Sequence, residues 1–166
     1  MNPPQTKVIE LLERNLVPYR LLLHGEAVFT VEAAARQRGV LIEEMVKSIL
    51  LRDRAGHYVM ACVLGAQRVN PQAVRALLPP EWKRLTFASA DEILAVTGCV
   101  QGAVAPLALP DSVPVYFDAA IARCRKVNIS SGDPLAGLEL AAVDLIRLAG
   151  ARLAPIAVSE SDVDPT

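Results

Sequence analysis

Lys47 stands immediately ahead of the apolar run Ile49-Leu50-Leu51, which ties its backbone to the edge of a core. A lysine so placed can hold a phosphate or carboxylate as a point charge. It can equally lay its stem on apolar surface and keep its ammonium in water. The segment Gly98-Cys99-Val100-Gln101-Gly102-Ala103-Val104-Ala105-Pro106 offers a second chemistry. Gly102 and Pro106 fix a backbone path that can present amide N–H groups to an oxyanion, although a helix end followed by a buried loop has the same composition. His24 with Thr30 is a third candidate, for which a strand end and a helix N-cap are sufficient explanations. Arg68, Arg123 and Arg125 are candidate phosphate contacts that also read as solvated surface charges.

The usual machinery is missing. There is no GxSxG elbow, P-loop, HExxH or GxGxxG. The only histidines, His24 and His57, have no serine or cysteine beside them in sequence. Cys62, Cys99 and Cys124 lack CxxC or Cys/His spacing, so neither a disulfide framework nor a metal site is expected, and no cofactor is implied. Each cysteine sits among apolar or small residues, as a small hydrophobe does.

Those residues need a scaffold, and 166 residues at 52% hydrophobic content supply one packed domain. With one Trp, three Tyr and three Phe, its core is aliphatic. The formal charge of −1 excludes a broadly basic nucleic-acid coat. It is uneven, however: residues 1–90 carry a net +4 and residues 91–166 a net −5, leaving room for a local anionic partner. No apolar run approaches the ~18 residues of a membrane span. The start Met1-Asn2-Pro3-Pro4-Gln5 does not read as a signal peptide, so the expected location is the cytoplasm.

Hydrophobic spacing predicts a helix over 6–15 ended near Pro18, a strand over 19–24, and a helix over 31–38 between Thr30 and Gly39. A short helical turn near 42–46 leads to a hairpin of 47–52 with 58–64 across Arg54-Ala55-Gly56. A helix then runs from Pro71 to Leu78 and stops at Pro79-Pro80. After a short strand at 85–87, Ser89-Ala90-Asp91-Glu92 has capping-box spacing for a helix over 90–96 ended by Gly98. Strands are expected at 113–117, 126–130 and 137–140, the last two paired across Gly132-Asp133-Pro134. A final helix with Val143, Ile146 and Leu148 ends at Gly150, and a last strand covers 152–158. Hairpins outnumber strand–helix–strand units, which favours a mixed, mostly antiparallel α+β domain over residues 1–158, followed by an acidic tail at 159–166.

Three segments and a pair of closing elements, in this order, resemble the YbaK/ProX family of aminoacyl-tRNA deacylases, whose domain is also inserted in bacterial prolyl-tRNA synthetases. His24-Gly25-Glu26-Ala27-Val28-Phe29-Thr30-Val31-Glu32-Ala33-Ala34 is similar to H-x-x-x-x-[FY]-T-x-E-E-A. Lys47-Ser48-Ile49-Leu50 is similar to K-[TS]-L-[LV], and Thr97 to Pro106 to T-G-Y-x-x-G-x-x-[SA]-P. Ile129-Ser130-Ser131-Gly132 and Asp144-Leu145-Ile146-Arg147-Leu148 resemble the closing elements. The resemblance runs from Thr6 to Leu153 and implies a barrel-like mixed sheet flanked by helices, with a pocket between Lys47 and the Gly102–Pro106 loop.

It further implies hydrolysis, without metal or cofactor, of the ester between a wrong amino acid and the terminal ribose of tRNA. Cys- and Ala-tRNA for proline are the leading substrates. The tRNA acceptor end is the implied partner, and prolyl-tRNA synthetase a second candidate. Lys47 and Gly102 carry the implied catalytic roles: Lys47 holds the terminal phosphate or orients the ester, and amides near Gly102 meet the oxyanion. Pro106 fixes that loop, while His24, Phe29, Thr30, Gly98, Ala103, Ser130 and Gly132 line the substrate site by the same resemblance. Cys99 departs from the family's aromatic, Ala103 from a second glycine, and Ala108-Leu109-Pro110 from a more polar continuation. The alternatives are a binding module with the same pocket but no turnover, and an esterase unrelated to tRNA.

Overall fold

The computed structural model describes residues 5–65 and 67–158. Local capping fixes most of its short helices. Thr6 accepts from the Ile9 amide (3.2 Å) to start α1 (Lys7–Arg14), which buries Val8, Ile9 and Leu12. Thr30 does the same for α2 (Val31–Arg38), and Gly39, at φ 67°, ends it in the left-handed conformation. Asn70 caps α3 (Pro71–Leu77), with Pro71 in the first turn. Ser89 and Glu92 form a full capping box on α4 (Ala90–Thr97), closed by Gly98. α5 (Ala142–Ala149) ends at Gly150. Val143 points outward, at 71% exposure, so that helix docks through Ala142 and Leu145 instead.

Eight strands form two sheets among the described residues. β1 (Arg20–Leu23), β7 (Ala136–Ala141) and β6 (Lys126–Ser130) make an antiparallel sheet in the order β1-β7-β6. The larger sheet runs β4-β2-β3-β5-β8, from β4 (Thr86–Phe87) through β2 (Val46–Arg52), β3 (Tyr58–Leu64) and β5 (Val115–Asp118) to β8 (Arg152–Ala154). The expected hairpin pairs Val46 with Leu64 through Arg52 with Tyr58. β5 and β8 instead join in parallel, β5 to β3 and β8 to β5. β8 is shorter than its apolar pattern predicts. Past Pro155 the amides of Ile156 and Ala157 both turn to the Asp118 carboxylate at 3.0 Å.

The mixed α+β architecture agrees with the sequence reading, but the sheets do not close into a single barrel. One parallel bridge, Met45 to Asn128, joins them. Side-chain alternation divides the core. Leu50, Met60, Cys62 and Phe117 face Ile129 and Leu138 of the smaller sheet together with α1 and α5, whereas Leu51, Val59, Ala61 and Val63 face Val74 and Leu78 of α3. The functional consequence lies at β4. With two residues it covers only Leu51 and Arg52 of β2, so the edge of β2 from Val46 to Ile49 is left without a strand neighbour on that side.

Candidate functional site

A cavity of about 410 Å³ opens against that uncovered edge, lined by Phe29, Thr30, Glu32, Lys47, Ser48, Phe87, Gly102 and Ser130 among others. Lys47 is half-buried and has no carboxylate within ion-pairing distance among the described residues. Burial is the largest influence on its ammonium and pulls the pKa below the ordinary lysine value; Glu32 pushes it back up and Arg68 pushes it down. A desolvated cation without a dedicated partner is poised to accept an anionic group from a ligand.

Backbone groups of β2 complete this wall. The Ala88 amide donates to the Leu50 carbonyl (3.0 Å), on the side facing away from β3. Strand alternation turns the N–H and C=O of Ser48 to the same side, beyond the end of β4. The Ser48 hydroxyl accepts from the Cys62 thiol at 3.5 Å. Burial pushes that thiol up to about 12, so Cys62 is no nucleophile at neutral pH.

Gly102, at φ 89°, packs directly on Phe29, where a Cβ would meet the Phe29 carbonyl oxygen and lie 2.9 Å from its Cβ. Its glycine character is thus required to seat the loop against the segment that carries Phe29 and Thr30. Thr30 lines the cavity while its oxygen caps α2, accepting from Ala33 at 3.1 Å. Ser130 joins the lining from β6. Two exposed aromatics, Phe29 at 53% and Phe87 at 63%, stand on the lining.

The structure therefore gathers Lys47, Gly102, Phe29, Thr30 and Ser130 around one cavity. The other residues named from sequence are placed elsewhere. His24 is buried outside the lining; its Nδ1–H donates to the Pro134 carbonyl (2.8 Å) and its Nε2 accepts from Arg38 Nε (3.0 Å). Burial is the main reason its pKa lies below the ordinary histidine value, so it stays neutral in that tautomer. The Arg38 guanidinium lies on Gly137, where any Cβ would collide with it, and burial lowers its pKa to about 10. Gly98 is the C-cap of α4, and Gly132 (φ 95°) turns beside Cys99. Ala103 is buried, its amide donating to the Val100 carbonyl at 3.0 Å. Pro106 lines a separate cavity with Leu107, Pro110 and Trp82.

Sequence reasoning missed the Ser48 backbone edge, Glu32 as a neighbour of Lys47, and Phe87. Glu32 was visible as a first-turn acid of α2 and as a position in the His24–Ala34 segment, with no link to Lys47, and nothing in Thr86-Phe87 announces where the strand stops. Among the described residues no group of three or more His, Cys, Asp or Glu is placed to hold a metal ion. Among the described residues no helix is long and apolar enough to cross a membrane.

Residues 25–148 match the family described as an aminoacyl-tRNA editing domain. The proline–tRNA ligase of Bacillus licheniformis is 31% identical over 99 residues, which are 60% of this chain and 17% of the ligase. The chain thus matches about a sixth of the length of that relative. The uncharacterized protein YwhH of Bacillus subtilis is 27% identical over 70% of this chain and 72% of its own. Among solved structures, hypothetical protein APE2540 superposes with a TM-score of 0.83 at 30% identity, over 92% of this chain and 99% of that one. A candidate trans-editing enzyme for prolyl tRNA synthetase gives 0.81 at 22% identity over 96% and 100%, a likeness of fold.

Proposed function

Because the chain belongs to the aminoacyl-tRNA editing domain family, we propose that it acts in trans to hydrolyse the ester between a mischarged amino acid and the terminal ribose of tRNA. Cys-tRNA and Ala-tRNA for proline are the leading substrates. The observation that carries this reading is the half-buried Lys47 on the uncovered edge of β2, unpaired among the described residues, in a cavity shared with Gly102 and lined by no described His or Cys. Such a site suits an ester that is already activated and needs positioning and charge stabilisation more than a protein nucleophile.

In the proposed cycle Lys47 holds a phosphate oxygen of the terminal nucleotide and so fixes the ester beside the β2 edge. A water attacks the carbonyl carbon; in a cysteinyl substrate its own thiol can do so instead, expelling the ribose oxygen and leaving a cyclic thioester that water then opens. The developing oxyanion takes hydrogen bonds from backbone N–H groups, from the Gly102 loop or from Ser48. With water as attacker, the ester C–O bond breaks, the ribose oxygen takes up a proton, and the free amino acid and uncharged tRNA leave. The tRNA acceptor end is the partner, with prolyl-tRNA synthetase as a further one, and the work belongs beside translation in the cytoplasm.

The test is release of label from Cys-tRNA and Ala-tRNA for proline, with Pro-tRNA as the control. Faster loss from one mischarged species than from Pro-tRNA supports the reading. Equal, uncatalysed decay of all three at enzyme excess contradicts it.

A further inference from the structure

Phe87 lines two cavities. One is the Lys47 site; the other, of about 670 Å³, is a cleft walled by Asn70, Gln72, Arg75, Arg84 and Thr86. Among the described residues no acidic side chain lines this second cleft. Neither Arg75 nor Arg84 is ion-paired among the described residues. Arg75 donates to the carbonyls of Leu78 (3.4 Å) and Pro80 (3.2 Å), which holds its guanidinium in place, and Arg84 is exposed. Arg68 precedes Asn70 by two residues and is close enough to Lys47 to disfavour its charge. Lys47 in the site and Arg75 and Arg84 in the cleft thus lie on either side of an exposed aromatic ring that lines both cavities.

A chain of phosphates separated by flat bases is the ligand that such an arrangement fits, because arginines track the backbone and an aromatic face stacks a base of any identity. Resting on the deacylase reading, we infer that the cleft walled by Arg75 and Arg84 carries the single-stranded RNA segment just upstream of the terminal aminoacyl-nucleoside, with Phe87 stacking on a base between the two cavities. This is consistent with a formal charge of only −1, since the grip is confined to the short single strand and does not need a basic coat.

The test uses the full chain and an uncharged RNA minihelix ending in single-stranded CCA, labelled at its 5′ end and followed by fluorescence anisotropy over a range of salt. Arg84→Glu is expected to weaken binding about tenfold and to flatten the log K against log[salt] slope by about 0.7, the share of one single-strand phosphate contact. Phe87→Ala is expected to weaken it by about fivefold or more, through lost base stacking. Arg14→Glu makes the same charge change at an exposed position outside both cavities and should stay within about twofold. Binding by Arg84→Glu and Phe87→Ala within twofold of wild type overturns the inference, as does an equal loss with Arg14→Glu. Hydrolysis is read separately. A protein that binds this RNA through Arg84 yet cleaves no ester upholds the path and sinks the deacylase reading; active hydrolysis with Arg84→Glu binding unchanged does the reverse.

Discussion

Lys47 sits where its own stability suffers for the sake of a ligand. Burial lowers its pKa below the ordinary 10.5, so the folded state binds that proton less tightly than the unfolded chain does. The sign of the linkage follows: the lysine costs stability while it is charged, and the cost fades as pH rises through the lowered value. Lys47→Met, which keeps the stem and removes the charge, should melt at the same temperature as wild type or higher while turnover falls by about 10²-fold. Thermal unfolding and single-turnover deacylation check the two halves. The opposite pattern, lower stability with full activity, would make Lys47 an ordinary structural lysine. The same pKa sets a pH test. The advantage of wild type over Lys47→Met should shrink as pH climbs, beginning below the ordinary lysine range.

Gly102 is the second residue whose identity the geometry dictates. Gly102→Ala would place a methyl against the Phe29 backbone at φ 89° and should cost about 2 kcal/mol in chemical denaturation. Both residues were legible in the sequence, Lys47 from the apolar run behind it and Gly102 from the glycine spacing. What each touches was not, because Phe29 and Gly102 are far apart in the chain and Lys47 meets Glu32 and Arg68 only after folding.

At the scale of elements, the β2–β3 hairpin that presents Lys47 is held at its far end by Asp53. Its buried carboxylate accepts from the amides of Ala55 (3.0 Å), His57 (2.9 Å) and Lys83 (2.9 Å), and from His57 Nδ1 (2.8 Å). Burial alone would raise its pKa; the bonds from Lys83 and His57 outweigh this and hold the group well below the ordinary 3.8. Its stabilising contribution is therefore complete above that ordinary value and is lost as pH falls from there through the depressed native one. Asp53→Ala should cost about 3 kcal/mol near neutral pH, since three amides and the His57 ring lose their buried acceptor, and the difference from wild type should narrow in acid. A pH-independent gap in urea denaturation would contradict this account. The hairpin itself was readable from sequence because its signals are local: two apolar runs around a glycine turn. Asp53's role was not, as Lys83 comes from a loop 30 residues on.

The whole molecule repeats that contrast. Capping boxes, proline starts and glycine ends place the helices from sequence alone. The parallel strands β5 and β8 depend on register with distant partners, so apolar pattern gave their existence but not their direction or length. Ile156, fully buried beyond β8, shows the consequence for domain limits. Ending the chain after Val158 keeps every described residue beyond β8 and serves as the reference. Ending it after Ala154 removes Ile156 and two of the amides that Asp118 accepts, and should cost about 3 kcal/mol or more. Equal melting of the two truncations would place the boundary earlier.

The most direct measurement of the central claim is deacylation of Cys-tRNA and Ala-tRNA for proline by wild type and Lys47→Ala, side by side, with Pro-tRNA as control. The account predicts rapid loss of label from one mischarged species with wild type, about 10²-fold slower loss with Lys47→Ala, and intact Pro-tRNA throughout. Equal rates for wild type and Lys47→Ala would contradict it, for the hydrolysis would then lie outside the cavity on the uncovered edge of β2.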